Sequence, residues 1–311
     1  FRISFFGHHV NNFLPFAIVI IESTIPTLTC REIITPLIEK TGLTVGEEIL
    51  LAHCQERILP GNLFYEMVHN DRVIGGINEA SGQAAREIYQ SFVMGDLYLT
   101  DDVTAELCKL MENTYRDVNI ALANEFALVA QGLGVDIKKA IYLANKHPRV
   151  NILNPGIGVG GHCISIDPWF IKEVDPQNCK LIFTARMIND EMPNKIASKI
   201  RKKLRGIPEP RIIALGATYK PNTCDLRESP ALRIVHVLRE DGYKVQVYDP
   251  LAKEYAHDSI LQVAKGADCI VVLVEHDVIM MELAEKWDEI NKVMRHPIIM
   301  RFWAPPKDLD P

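Results

Sequence analysis

The chain has 311 residues, 48% of them hydrophobic, and a net charge of −6. That length can bury two or three cores, and the acidic balance offers no basic field for nucleic acid. Seven cysteines are scattered with no CxxC pair, which points away from a disulfide framework and a metal site and toward a reducing, cytoplasmic setting.

Residues 1–15 carry no clear pattern. The apolar run Phe13–Ile21 is too short to span a bilayer, is broken by Pro15, and lacks the flanks of a leader, so no membrane partner is expected. Phe16–Glu22 is β-branched at its centre and reads as a buried strand. Thr29–Lys40 has helical spacing and stops before Gly42. Glu48–Cys54 and Arg72–Gly75 read as strands, and Glu79–Phe92 as a helix. Strands alternating with helices predict parallel α/β layering.

The texture then changes. Between Asp102 and Leu133 there is no proline, and no glycine before Gly132, while Val103, Leu107, Leu110, Met111, Val118, Leu122, Phe126 and Val129 recur at helical spacing. One helix of about nine turns follows, long enough to need cover on several sides. It predicts a domain connection or a dimer seam. Helices at Ile137–His147 and about Cys179–Leu204 flank a glycine-rich segment. After Gly206 the α/β texture resumes: strands at Arg211–Leu215, Lys244–Tyr248 and Asp268–Val274, and a helix at Pro230–Glu240. The turn between the first of those strands and the helix has one glycine, Gly216, and no GxGxxG, so it is a poor dinucleotide fingerprint. Its Lys220 and Arg227, with the helix start behind them, suit an anion.

Four places could carry chemistry. Gly156, Gly158, Gly160 and Gly161 run into Cys163. Such a loop lets backbone approach a ligand and can aim N–H groups at an anion or carbonyl, with the thiol placed as a nucleophile. Taken alone, it reads first as a glycine turn with a buried thiol. Lys109 and Asn113, four apart, project from one helix face and could hold an oxyanion. On spacing alone, with Glu106 and Glu112 three residues either side of Lys109, the reading favoured is instead a solvated face. Glu56 follows the second strand, where open sheets take ligands, and could serve as a base or hold water. Arg149 precedes the glycine loop and suits a diphosphate or sugar hydroxyls.

In this order the segments ESTIP (22–26), HCQERILPG (53–61), AELCKLMENTYRDVNIALANE (105–125), HPRVNILNPGIGVGGHCISIDP (147–168) and TYKPNTCDLRESPA (218–231) resemble the UDP-glucose/GDP-mannose dehydrogenase family. The resemblance implies an α/β protein of two Rossmann-like open parallel-sheet domains joined by a long central helix region. It places the boundaries at 1–98, 99–205 and 206–311. It implies a dimer and a four-electron oxidation, with NAD, of a UDP-sugar C6 alcohol to a carboxylate through a thioester. Cys163 matches the nucleophile, Lys109 and Asn113 the oxyanion holders, and Asp167 and Glu56 the carboxylates that handle protons and water. Arg149, Asn151, the four loop glycines, Lys220 and Arg301 fall to substrate binding, with Arg149 serving the neighbouring copy. Thr24, Glu56 and Arg227 fall to the cofactor.

GGHC before the nucleophile, where UDP-glucose enzymes have GGSC, resembles the UDP-N-acetylhexosamine branch, and HCQERILPG leans toward UDP-N-acetyl-D-mannosamine. UDP-N-acetylglucosamine and UDP-glucose are the alternatives, and a non-catalytic UDP-sugar-binding dimer is another. The family's amino-terminal GxGxxG is not found, and the end, IIMRFWAPP, departs from the family's Asp-x-Arg. An incomplete first domain that binds NAD weakly is therefore the expectation. Gln55 stands where the family has proline and Cys224 where aspartate is common.

Overall fold

A computed structural model describes residues 17–58 and 62–303. The segment 1–15, the first residues of the Phe13–Ile21 run, and Leu59–Gly61 of the 53–61 motif lie outside the described residues. In chain order the elements begin with β1 (Ala17–Ile21), a π-helical turn (Cys30–Ile34), α1 (Thr35–Glu39), β2 (Ile49–His53), α2 (Leu63–His69) and β3 (Arg72–Gly76). α3 (Glu79–Gln90), β4 (Leu97–Asp101), α4 (Asp102–Leu133), α5 (Ile137–Ala144), α6 (Asp167–Val174) and α7 (Lys180–Leu204) follow. β5 (Arg211–Leu215), α8 (Pro230–Glu240), β6 (Lys244–Tyr248), α9 (Ile260–Val263), β7 (Cys269–Val272), α10 (Asp277–Val293) and β8 (Ile298–Arg301) complete it. Among the described residues no helix is long and apolar enough to cross a membrane.

The chain divides into two compact units, Phe1–Thr114 with Asp167–Cys179, and Tyr115–Ile166 with Lys180–Pro311. The first holds a sheet in the order β1-β2-β3-β4. β1 and β2 pair in parallel over five positions, Ala17↔Ile49 to Ile21↔His53, as do β3 and β4, Arg72↔Leu97 to Gly76↔Asp101. Parallel pairing was expected throughout, but β2 and β3 run antiparallel at Ala52↔Gly76 and His53↔Gly75. A strand's apolar pattern fixes its faces and not its direction. The sheet buries Ile21, Ile34, Ile38, Ile49 and Leu51 on one side and Ala52, Ile74, Ala85 and Tyr89 on the other.

No loop separates β4 from α4. Asp101, the last strand residue, accepts the Thr104 N–H at 3.0 Å and the Thr104 hydroxyl at 2.6 Å, so the strand's own end caps the helix. Glu106, one turn in, is fully buried and accepts the N–H groups of Leu28 (2.6 Å) and Cys30 (2.8 Å), which anchors the π-helical turn.

The second unit holds a fully parallel sheet in the order β6-β5-β7-β8. Its strands are apolar on both faces. Ile212, Ala214, Val245, Val247, Cys269 and Val271 face α7 and α8 residues such as Ile196, Ile200 and Ile234. Ile213, Leu215, Ile270 and Val272 face Ile260, Ile279 and Leu283. Near-continuous Val/Ile/Leu runs are what a parallel sheet covered on both sides requires. α8 starts on a Ser229 cap with Pro230 in its first turn, the arrangement that best suits a helix start.

Candidate active site

In the first unit, helix α4 carries Lys109 and Asn113 on one face. Asn113 is buried, and its amide Nδ2 donates to Asp167 Oδ2 at 2.5 Å. Asp167 opens α6 and is itself buried; burial holds its carboxyl above the ordinary range, while the Asn113 hydrogen bond and the Lys109 charge pull the other way. A carboxyl so placed retains a proton to higher pH than usual, as a proton carrier needs. The two glutamates that could have neutralised Lys109 are committed elsewhere: Glu106 to the Leu28 and Cys30 N–H groups, Glu112 to Arg57.

His53, the last residue of β2, belongs to the same neighbourhood, because the charges of Lys109 and Asp102 reach it. It is fully buried and neither ring nitrogen makes a hydrogen bond among the described residues. Burial pushes its imidazole down to about 4, with the Ile21 backbone and Asp102 pulling it up and Lys109 pushing it further down. Its signal in the sequence was a lone polar residue closing the apolar run Ile49–Ala52.

Glu56 has partners of its own. Its Oε1 accepts the N–H groups of Arg57 (2.6 Å) and Ile58 (2.9 Å), and Oε2 stands 3.8 Å from buried Arg72. Strand pairing continues past β1 and β2 through Cys54 N–H to Ile21 and Glu56 N–H to Glu22, so Thr24 is among the first residues beyond it. Thr24 and Glu56 thus stand at the carboxyl ends of neighbouring parallel strands, the edge where open α/β sheets take ligands.

In the second unit the glycine loop is packed too closely for side chains. A Cβ on Gly160 would fall 2.3 Å from the Glu228 carbonyl oxygen. One on Gly161, at φ +83°, would fall 3.0 Å from the Tyr219 ring. The Gly161 N–H donates to the Arg227 carbonyl at 3.1 Å, and its own carbonyl accepts the Ser165 hydroxyl at 2.6 Å. The Gly156 N–H is taken by Asn124 at 2.8 Å. Two of the loop's N–H groups therefore serve the fold and are closed to a ligand, against the expectation of a run of open donors. Cys163 is exposed, not buried as the plain-turn alternative required, and it lies within electrostatic reach of Arg227.

Arg227 is held bidentate by Asp225, at 2.9 and 2.6 Å. Lys220 leans over the Tyr219 ring, 5.7 Å from its centroid. Its backbone is fixed by a set of residues the sequence reading missed. The Thr218 hydroxyl donates to the Lys220 carbonyl and lies 3.1 Å from His276 Nε2, which is 3.0 Å from Asp249 Oδ2. Asn222 N–H donates to His276 Nδ1 at 2.9 Å, so the proton of the neutral ring is on Nε2. Arg301 pairs with Glu275 at 2.9 Å. Arg149 and Asn151 are exposed. Asn145 brackets them with hydrogen bonds to both sides of the Ile152 backbone, at 3.0 and 2.8 Å.

Known proteins match the chain along nearly its whole described length. The UDP-glucose/GDP-mannose dehydrogenase family's NAD binding domain matches residues 7–93, its central domain 103–191 and its UDP binding domain 213–304. The chain belongs to the UDP-glucose/GDP-mannose dehydrogenase family. A UDP-N-acetyl-D-mannosamine dehydrogenase of Methanococcus maripaludis is 49% identical over 298 residues, which cover 93% of this chain and 68% of that protein. An NDP-N-acetyl-D-galactosaminuronic acid dehydrogenase of Ralstonia solanacearum is 42% identical, over 83% of this chain and 65% of the other. The solved UDP-D-ManNAc dehydrogenase of Pyrococcus horikoshii superposes with a TM-score of 0.88 at 44% identity, covering 96% of this chain and 72% of that one. As a member of this family the chain is an NAD-dependent oxidoreductase of α/β fold.

Proposed function

We propose that the chain oxidises the C6 alcohol of a UDP-N-acetylhexosamine, UDP-N-acetyl-D-mannosamine foremost, to the carboxylate by way of a thioester on Cys163. The observation that carries this reading is the buried Asn113–Asp167 hydrogen bond within reach of the Lys109 charge. It joins an amide, an ammonium and a carboxyl of raised proton affinity, the three groups such an oxidation needs around its oxygen. Only three residues of chain lie between Cys163 and Asp167. NAD, when bound, accepts a hydride in each of the two oxidations. The residues present fit it: a hydroxyl on Thr24 and a carboxylate on Glu56 at adjacent strand ends, and the Arg227 guanidinium.

In this reading Asp167 takes the hydroxyl proton as the aldehyde forms. The Cys163 thiolate adds to the aldehyde carbon, and Lys109 and Asn113 meet the oxyanion that results. Loss of the second hydride leaves the thioester. Water that gives a proton to Glu56 adds to the thioester carbon and expels the Cys163 thiolate, and the acid so formed ionises to the carboxylate. Lys220, Arg301, Arg149 and Asn151 hold the UDP-sugar, and the loop glycines let the backbone lie against it without side chains in the way.

A second copy of the chain completes the assembly. Phe126, Val129 and Leu133 on α4, with Val135, Ile141 and Ile152, line an apolar groove of about 270 Å³, and Leu133 is 73% exposed. A patch of that kind on one chain is best covered by its own copy, about a two-fold axis. A cytoplasmic setting goes with the reading, since all seven cysteines are free thiols.

The test is NADH release from UDP-N-acetyl-D-mannosamine, UDP-N-acetylglucosamine and UDP-glucose, each at saturation. Two NADH per UDP-N-acetyl-D-mannosamine, lost in Cys163→Ser with UDP binding kept, is the expected result. Full turnover by Cys163→Ser, or no NADH from any of the three, would overturn it.

A further inference from the structure

The second unit contains a chain of buried polar groups that the chemistry above does not use. Arg186, Asp117, Asn189 and Asn124 are each no more than 1% exposed. Arg186 Nη1 donates to Asp117 Oδ1 at 2.5 Å, and the Asn189 amide donates to the same oxygen at 2.8 Å and to the Asp117 carbonyl at 3.0 Å. Asn124 Nδ2 donates to Asn189 Oδ1 at 2.9 Å. Asn124 Oδ1 then accepts the N–H of Gly156, the first residue of the glycine loop, at 2.8 Å. Every donor in the series from Gly156 inward points toward the Asp117 carboxylate. Hydrogen bonds aligned in one sense in a dry interior polarise and strengthen one another. From the other side, Trp303 Nε1 donates to the Gly156 carbonyl at 3.2 Å. The peptide groups on both sides of the Gly156 Cα are therefore fixed.

Burying four polar side chains, one of them a guanidinium, costs free energy that an apolar core would not. Asp117 Oδ2 and Arg186 Nε find no hydrogen-bond partner among the described residues, so the network is not fully satisfied even so. Packing alone does not call for it, because a Cβ on Gly156 would meet nothing nearer than 3.6 Å. What it achieves is to set the start of the loop whose later glycines pass so close to Tyr219 and Pro230 that a Cβ added to Gly158, Gly160 or Gly161 would fall 3.0 Å or less from one of them, before the chain reaches Cys163.

We propose that Asn124, backed by Asn189, Asp117 and Arg186, is a positioning residue: it clamps the foot of the glycine loop and thereby places Cys163 for attack. The inference rests on the reading of Cys163 as nucleophile. It predicts an effect on the reacting step beyond any effect on substrate binding.

The experiment uses the whole chain and three variants. Asn124→Ala removes the clamp. Asn124→Asp keeps an acceptor for the Gly156 N–H. Trp303→Phe removes the outer donor and trims a ring that packs against the core, but leaves every member of the Asn124 network in place. Steady-state NADH release gives kcat and KM for the UDP-sugar. Iodoacetamide labelling, read by peptide mass spectrometry, gives the rate at Cys163 against the exposed Cys224 as internal reference. For Asn124→Ala we expect kcat to fall about 10²-fold with KM little changed, the loss typical of a reacting group displaced by about 1 Å. We expect labelling of Cys163 to quicken while that of Cys224 holds. Asn124→Asp should lie between, and Trp303→Phe should shift both readouts in the same direction by less. Wild-type kcat and labelling in Asn124→Ala, or in Trp303→Phe should the first variant not fold, would overturn the clamp. Labelling needs no turnover, so a wild-type chain without activity would sink the reading of function while the labelling rates still judged the clamp.

Discussion

Asn113 and Asp167 meet as buried groups, and Lys109 supplies a fixed positive charge that bears on Asp167. Lys109 acts on charge that appears only as the reaction proceeds, so Lys109→Ala should lower kcat by about 10²–10³-fold and leave KM close to wild type. Steady-state kinetics check this, and a variant with unchanged kcat and a raised KM would count against it. His53 gives a second residue-scale prediction, on stability. Its imidazole titrates near 4 when folded and 6.5 in its ordinary state, so the unfolded chain binds the extra proton first as pH falls. The neutral ring's contribution is intact above pH 6.5 and is lost between 6.5 and 4. By pH 4 the loss is on the order of 3 kcal/mol. Urea midpoints measured from pH 7 to pH 4.5 should fall more steeply for the wild type than for His53→Leu, which has no proton to bind. Parallel curves would remove His53 from the acid transition.

At the scale of elements, the glycine loop is the least forgiving segment. Gly160→Ala forces a methyl group to 2.3 Å from the Glu228 backbone, an atom that cannot swing aside, so the loop itself must shift. NADH release should collapse while the far-UV circular dichroism stays that of the wild type; an active Gly160→Ala would mean that the loop tolerates displacement. Much of this scale was legible in the residues. The helix expected from Asp102 to Leu133 is present with those bounds because an uninterrupted apolar spacing over 32 residues has no competing reading. Other elements were not legible, for local reasons. No helix is read from the residues directly after the glycine loop, yet Pro168 suits a helix's first turn, and α6 starts at Asp167. The helix expected at about Cys179–Leu204, by contrast, is present as α7, with Pro193 accommodated in its interior. Asn124 and Asp117 are polar positions on a long helix, which by spacing alone read as solvated; their burial depends on α7, far away in the chain. The direction of β3 has no sequence signature at all.

For the molecule as a whole, the apolar groove along α4 and α5 predicts a dimer at micromolar concentration by light scattering. Val129→Glu with Leu133→Glu should yield monomers, and a wild-type monomer would refute the assignment of that face to a second copy. The division into two units has a consequence for how the chain is made. Neither unit is contiguous: the first is finished by Asp167–Cys179, which follows 115–166, a stretch belonging to the second. Asn113 therefore emerges from the ribosome well before its acceptor, and Glu106 long after the N–H groups of Leu28 and Cys30 that it must hold. Contacts that span such distances close late and slow the search for the native state. A nascent chain stalled before residue 167 should thus be protease-sensitive throughout its first unit, and become resistant only once residue 179 has cleared the exit tunnel. Resistance acquired at residue 114 would show that the first unit does not wait for its missing piece.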